Sequence, residues 1–281
     1  MHRRRALGTG VLVLWVGVVG WHVEREYFVP ETERLAQASR HLSPETHHYV
    51  LEEDGRVVGT ASSRMDTLPD GLVLEDRMNA HVAIPGMSGG VRSVGRVELD
   101  RSLRLRTFSL EVDSEALSLR SEGELDADTL LRIRSEAGGG EPQESEMVLD
   151  EPPVFQSALP VRLAMAGELA QGARFRLPVL DPSAGDVRST EVVVDEHRRI
   201  ALPDSAIRDP DTGRWHPAPP DTVDVWRVEE RYGELTVETW VDAEGRVVRA
   251  ETPFGFAMER RPLQMVHQAA RDREAEEEEG R

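Results

Sequence analysis

The sequence predicts a mainly β protein, in which long curved antiparallel sheets form a half-barrel-like domain with one internal helix, preceded by a single N-terminal transmembrane helix. Three observations carry this reading. From His47 onward apolar and polar residues alternate with period two through most of the chain, as half-buried strands require. Thr222 to Thr252 reads as three antiparallel strands joined by two turns. At the start, Ala6 to Val23 carries no formal charge and follows Arg3-Arg4-Arg5. That run is long enough to cross a bilayer, and the arginines put the N-terminus in the cytoplasm.

A retained anchor is expected over residues 1–24, because large residues (Trp21, His22, Tyr27, Phe28) stand where a cleaved signal peptide needs small ones. Residues 25–44 form a juxtamembrane helix or stalk, with Leu35, Ala38 and Leu42 on one side and Ser43-Pro44 ending it. The extracytoplasmic β domain spans 45–261, with a two-lobe division placed near 138–152 because Gly138 to Glu146 reads as a flexible linker. A C-terminal helix decaying into the acidic run Glu276 to Glu279 occupies 262–281.

Within the β domain, Asp54-Gly55 marks a turn between Tyr49–Leu51 and Val57–Ser63. Leu72 to Ile84 is the clearest strand. Leu72, Leu74, Met78, Ala80, Val82 and Ile84 share one face, interrupted by Asp76. Strands follow at Val91–Leu99, Leu103–Val112, Ala116–Gly123 and Thr129–Glu136, and a parity switch in the second predicts a β-bulge near Arg106-Thr107. A short strand at Met147–Leu149 precedes the internal helix, Leu159 to Ala170, which Gly172 ends and which plugs the open side of the sheet. Strands resume at Phe175–Leu180, Val187–Val194 and Ile200–Leu202. Asp204 to Pro220 is a polar loop, and Ala257–Arg260 is the last strand.

The register of the Thr222–Thr252 meander follows from its charges. A link at Tyr232-Gly233 sets Arg231 opposite Glu234, Val228 opposite Val237 and Trp226 opposite Thr239. Trp226, Val228, Leu235, Val237 and Val241 then share one face, and Arg227 and Glu238 the other. A one-residue slip would reverse every face. The second link, Asp242 to Gly245, uses Gly at a positive φ and sets Glu238 opposite Arg249 and Thr239 opposite Val248.

Composition excludes more than it assigns. The net charge of −18 argues against a nucleic-acid partner, which needs basic patches. All basic side chains are Arg, and there is no Cys, so disulfides, thiol nucleophiles, lipidated Cys and Cys-ligated metals are excluded. His47-His48 point to opposite faces of a strand and make a poor metal pair. Asp209, Asp211 and Gly213 fail the calcium-loop pattern, since the Gly comes early and no acidic residue closes the loop. There is no G-x-S-x-G and no phosphate-binding Gly loop. No catalytic residue, metal or cofactor is expected.

From about Tyr49 to Arg260 the chain resembles the extracytoplasmic β domain of bacterial membrane-anchored proteins, found alone or ahead of transglutaminase-like modules. The residues that carry this are Gly59, Gly172, Leu180-Asp181-Pro182, Trp240-Val241-Asp242, Gly245-Arg246-Val247, Gly255 and Arg260. More distantly it resembles periplasmic lipoprotein carriers of the Lol type. The resemblance implies fold rather than chemistry, and without Cys the transglutaminase triad is absent. The expectation is a non-catalytic protein of the bacterial inner membrane whose periplasmic domain binds a partner protein or an apolar ligand, as an accessory subunit of a membrane complex. The expected groove is lined by Leu72, Leu74, Met78, Val82, Ile84, Trp226, Val228, Leu235 and Val237. Two rivals are a tethered lipid or lipoprotein carrier and a hydrolase using loop carboxylates and His.

Overall fold

The structure is a computed structural model that describes residues 30–84, 87–116, 118–232, 235–251 and 255–279. The Ala6–Val23 run therefore lies outside the described residues, among which no helix is long and apolar enough to cross a membrane.

One curved sheet of fifteen strands dominates. Its first half is β1 (Glu45–Glu53), β2 (Arg56–Leu68), β3 (Gly71–Ile84), β4 (Met87–Asp100), β5 (Leu105–Ser114), β6 (Ser118–Asp126), β7 (Leu130–Ala137) and β8 (Gln143–Val148). These run as an uninterrupted antiparallel meander from β1 out to the edge strand β8. The chain then crosses to the opposite edge, where β9 (Val154–Phe155) pairs in parallel with β10 (Arg174–Asp181). From there β11 (Asp186–Leu202), β14 (Asp221–Tyr232), β15 (Leu235–Asp242), β16 (Val247–Glu251) and β17 (Phe256–Arg261) lead back to β1. The small hairpin of β12 (Ala206–Arg208) and β13 (Trp215–Pro217) stands apart.

The sheet curls until its two ends share one core without closing into a barrel. Leu131 and Ile133 from one end and Phe155 and Leu180 from the other lie in a single buried cluster with Leu72, Leu74, Val97, Leu99 and Phe108. Helix α1 (Glu31–Ala38) caps this cluster with Leu35, and a 3-10 turn Ser39–His41 continues it. The segment Glu31–His41 is thus packed onto the domain and is not a free stalk. The Ser39 hydroxyl donates to the Arg101 carbonyl at 2.7 Å, which ties α1 to the β4–β5 turn.

Helix α2 (Leu159–Ala166) is the expected plug. Val161 faces the cluster just described, while Leu159 and Leu163 face a second one formed by Val192, Val194, Val228 and Val241. It is shorter than predicted. Gly167 adopts the left-handed conformation (φ 73°) and ends the helix, so at ~1.5 Å per residue it spans only about 12 Å. Helix α3 (Leu263–Glu279) lies on the outer face, with Val266 buried. Its acidic end remains helical rather than decaying into a tail.

The alternation predicts strands well, and the differences have physical causes. Gly138 to Glu146 is not a linker: it forms the β7–β8 turn and most of β8, paired Ser135 with Gln143 through Leu130 with Val148. The sheet passes through this region without a lobe boundary. The expected strands Val187–Val194 and Ile200–Leu202 are one strand, β11. A bulge at Asp195 joins them, and Arg227 holds that carboxylate from β14 (Nε to Oδ1, 2.8 Å). The Asp204–Pro220 loop contains the β12–β13 hairpin, steadied by the Gln268 amide oxygen, which accepts from the Trp215 backbone N–H at 2.7 Å. The bulge expected near Arg106 is present: Leu99 pairs with Leu105 and Glu98 with Thr107.

The meander keeps its expected faces with its pairings displaced by two residues. Val228 stands opposite Thr239, Trp226 opposite Val241, and Arg231 opposite Thr236. The predicted partner Glu234 lies outside the described residues. On the next ladder, Thr239 faces Ala250 and Trp240 faces Arg249, with a bulge before Val241–Val247. An offset of two preserves side-chain parity, so Val228 and Val241 are buried as expected. Gly245 has φ 79°, and an added Cβ would lie 2.4 Å from the Pro160 carbonyl oxygen. The β15–β16 turn thus presses on the first turn of α2, and only glycine fits there.

Candidate functional site

Among its described residues the expected apolar groove is mostly core, although Met78 also lines an open groove beside α3. Leu72, Leu74 and Val228 are fully or almost fully buried, and Met78, Trp226 and Val237 are partly so. The side chains of Val82, Ile84 and Leu235 lie outside the described residues. The short helix α2 suffices as a cover because the sheet's own far end, α1 and the Leu103 turn supply the rest. Trp226 packs on the second cluster and stacks on His197, with ring centroids 4.7 Å apart. Trp240 belongs to a separate outer-face cluster with Val225, Val248 and Leu202, under the Arg198 guanidinium at 3.7 Å.

The inner face also carries a polar layer that sequence periodicity could not assemble. The interruption at Asp76 is its first member. Register places His47 opposite Ser63 and Ser63 opposite Asp76. Tyr49 stands opposite Arg260 across the β1–β17 ladder. The Asp242 carboxylate binds Arg246 Nε at 2.7 Å and Arg260 at 3.2 Å, and accepts from the Glu244 and Arg246 backbone N–H groups. Arg246 continues to Glu45 at 3.3 Å. Tyr49 donates its hydroxyl to the Val247 carbonyl at 3.3 Å.

Titration in this layer follows burial. Asp76 keeps some accessible surface, but its carboxyl is enclosed. Burial pushes its pKa up, opposed by hydrogen bonds from Ser63 and Ser157. Burial pushes His47 down, helped by the Arg260 charge and opposed by Glu45. Burial raises the Tyr49 phenol above its ordinary value. His47 Nε2 lies 3.3 Å from Glu45 Oε2, in a geometry that makes no hydrogen bond.

The row His47–Ser63–Asp76 contains the residue types of a hydrolase triad in the wrong arrangement. A triad needs the imidazole between hydroxyl and carboxylate, so that it takes the hydroxyl proton while the carboxylate orients it. Here the serine sits in the middle, and Asp76 accepts from Ser63 and Ser157. Burial that raises the Asp76 pKa also weakens it as a charged partner for a base. The Asp242–Arg246–Arg260 network is best read as a paired ionic cluster that fixes the β1, β15–β16 and β17 elements relative to one another. Among the described residues no group of three or more His and carboxylate side chains is set to hold a metal. Asp209, in the loop that loosely matched a calcium site, accepts instead from the backbone N–H groups of Asp211 and Thr212, as an Asx turn.

The large concavities lie on the outside. Two open grooves flank α3. One, of about 570 Å³, runs between the helix and the outer face of β1–β5 and is lined by His48, Arg77, Arg92 and His267 among others. The other, of about 580 Å³, lies toward the β1–β2 turn and is lined by Arg56, Met265 and Asp272 among others. His48 therefore belongs to the outer groove while His47 faces inward, as strand alternation requires.

No family model matches the chain, and no curated protein does. Among solved structures it is similar to the crystal structure of a β-barrel-like protein of Domain of Unknown Function DUF1849 from Brucella abortus. The match has 14% identity, covers 79% of this chain and 97% of that one, and has a TM-score of 0.52. A DUF1089 family protein from Pseudomonas aeruginosa aligns with 16% identity over 69% of this chain and 90% of that one, with a TM-score of 0.38. Neither is described as a transglutaminase-associated domain or a lipoprotein carrier. The first likeness defines the class to which the fold belongs, a β-barrel-like curved sheet. At that identity it speaks to fold alone.

Proposed function

We propose that this is a non-catalytic protein held in the bacterial inner membrane by Ala6 to Val23, whose periplasmic β domain binds a partner protein as an accessory subunit of a membrane complex. The observation that carries this reading is the filled inner face. A carrier needs an apolar cavity of several hundred Å³, whereas Leu72, Leu99, Leu131, Leu163 and Val228 occupy that space at 2% exposure or less. Of the grooves that remain, two flank α3 on the outside and a third, of about 460 Å³, lies across β5–β8 and is lined by Phe108, Ile133, Glu124 and Arg132 among others; such mixed linings suit a protein surface better than an acyl chain. The hydrolase reading is weakened by the triad geometry and by the enclosure of its groups.

The test is purification of the full-length protein from membranes in mild detergent, with co-purifying proteins and lipids identified. A stoichiometric protein partner and no specific lipid are expected. One acyl-chain lipid per protein, with no partner, would replace this reading by the tethered carrier. Recovery of soluble protein beginning near Trp21 would remove the anchor.

A further inference from the structure

We infer that the two open edges of the sheet bind one another between copies of this chain, with β8 of one copy pairing antiparallel to β10 of the next. The partner here is a second copy rather than the accessory partner proposed above, and the inference stands without that reading.

At both edges the open backbone groups belong to charged residues. On β8, the Leu149 N–H donates to the Thr129 carbonyl at 2.7 Å. The odd-numbered residues therefore bond to β7, and Glu144 and Glu146 turn their N–H and C=O groups outward. On β10, the Val194 N–H donates to the Ala173 carbonyl at 2.9 Å. The odd-numbered residues there bond to β11, and Arg174 and Arg176 turn outward. Strand β9 covers only Val179 and Leu180, and Pro178, next on that side, has no N–H to leave open. Met147, Phe175 and Leu177 pack against the core clusters, which leaves Glu144, Glu146, Arg174 and Arg176 exposed on the opposite face of their strands.

The charges select which edges meet. Across β6–β8 the rows read Glu122–Arg134–Glu144 and Glu124–Arg132–Glu146, so each reaches the open edge on a carboxylate and carries two carboxylates for one guanidinium. At the other edge a row starts Arg176–Glu191–Arg231. Among the described residues Arg176 forms no ion pair, since Glu191 turns to Arg174 and Arg231. Setting Glu144 opposite Arg176 and Glu146 opposite Arg174 continues the Glu122 row as acid, base, acid, base, acid, base through the seam. Opposite charges facing each other across strands attract and like charges repel. Two β8 edges centred on one another would set Glu144 against Glu146 twice, and two β10 edges would do the same with Arg174 and Arg176. The unlike pairing alone is attractive. In it each facing residue turns its open N–H and C=O toward the other, as an antiparallel hydrogen-bonded pair requires. The ladder stops where Pro142 meets Pro178, and the aliphatic stem of Arg174 lies alongside Val148, which is 84% exposed.

Within one chain the two ends overlap face to face. The β10–β11 turn lies over β7, where an added Cβ at Gly185 would come 3.8 Å from Ile133 and Ser135, and Leu180 shares a cluster with Leu131 and Ile133. Pairing the edges inside one molecule would pull that turn off β7, so the partner for each edge is another molecule. Because the two surfaces differ, the contact is head-to-tail and leaves one free edge at each end of an open assembly.

The experiment measures the mass of the full chain in mild detergent by sedimentation over a range of concentrations. A mass that rises with concentration through dimers to longer species is expected. Glu144→Arg/Glu146→Arg makes both edges basic, and Arg174→Glu/Arg176→Glu makes both acidic. Each variant alone should associate at least about tenfold more weakly, with an unchanged melting temperature to show that it is folded. An equimolar mixture of the two should recover association, because each edge again finds its opposite, and misfolding could not produce that recovery. A monomer at all concentrations, association untouched by either reversal, or a mixture no stronger than its components overturns the proposal. Since the chain has no Cys, Glu144→Cys/Arg176→Cys reads the register on a non-reducing gel. A ladder of linked chains is expected; internally linked monomer without a ladder overturns the proposal by showing that the edges close within one chain.

Discussion

Leu72→Ala tests whether the apolar stripe of β3 is core or binding groove. Leu72 has no accessible surface and stands between Thr67 and Leu99 on its two ladders. The substitution removes three buried carbons, worth ~0.8 kcal/mol each in transfer, or about 2.4 kcal/mol. Its neighbours are fixed by strand pairing on both sides, so the space left behind collapses poorly and adds a cavity cost. The total should reach about 3–4 kcal/mol, inside the 2–5 kcal/mol range for buried Leu→Ala changes. At ~2–4 °C per kcal/mol for a domain of this size, the melting temperature should fall by roughly 6–16 °C. Urea denaturation of the β domain measures the free energy directly, and an unchanged slope confirms that both proteins unfold alike. A loss below about 1 kcal/mol at equal slope would show that Leu72 faces solvent or a ligand, and the filled interior on which the proposed function rests would be wrong.

Three further outcomes follow from the turn and the polar layer. Gly245→Ala should destabilise by more than the ~1–2 kcal/mol of a left-handed alanine, because the new methyl meets the Pro160 carbonyl; a neutral melt would disprove that contact. Asp76→Asn should raise the urea midpoint at pH 7. The folded pKa of Asp76 is raised, so its stabilising protonated form is present in full below the unfolded pKa and is lost as pH rises through the folded value. Asn keeps a partner for Ser63 and Ser157 without the charge, and its stability should vary less with pH above 4. An unchanged pH profile would place the Asp76 carboxyl in solvent. Asp242→Ala should cost about 3–5 kcal/mol, because it leaves Arg260 buried without its carboxylate, whereas Glu244→Ala, at an exposed pair, should cost less than ~1 kcal/mol; equal losses would mean that the network is not enclosed.

The sequence by itself determined the strands, their inward faces and several of the turns. A period of two is a local property, so the Leu72–Leu74–Met78–Ala80 face, the Arg106 bulge and the Gly245 turn were legible from neighbouring residues. Register was less so. Displacing the β14–β15 pairing by two residues leaves every side chain on its face, and charge pairing is too weak to choose between such neighbours, so the expected partner of Val228 was wrong while its burial was right. What lay beyond local reading was everything that depends on elements distant in the chain. The Gly138–Glu146 stretch is as polar as a linker, yet it pairs with β7 because a solvated edge strand needs little apolar surface. His47, Ser63, Asp76, Tyr49, Asp242 and Arg260 carry no shared motif. Only the closure of β17 against β1 and the curl of the sheet bring them into one layer, and only that enclosure shifts the pKa values of His47, Tyr49 and Asp76. The outer groove arises in the same way, since His48 and His267 meet only after α3 folds back across the face that the first strands build.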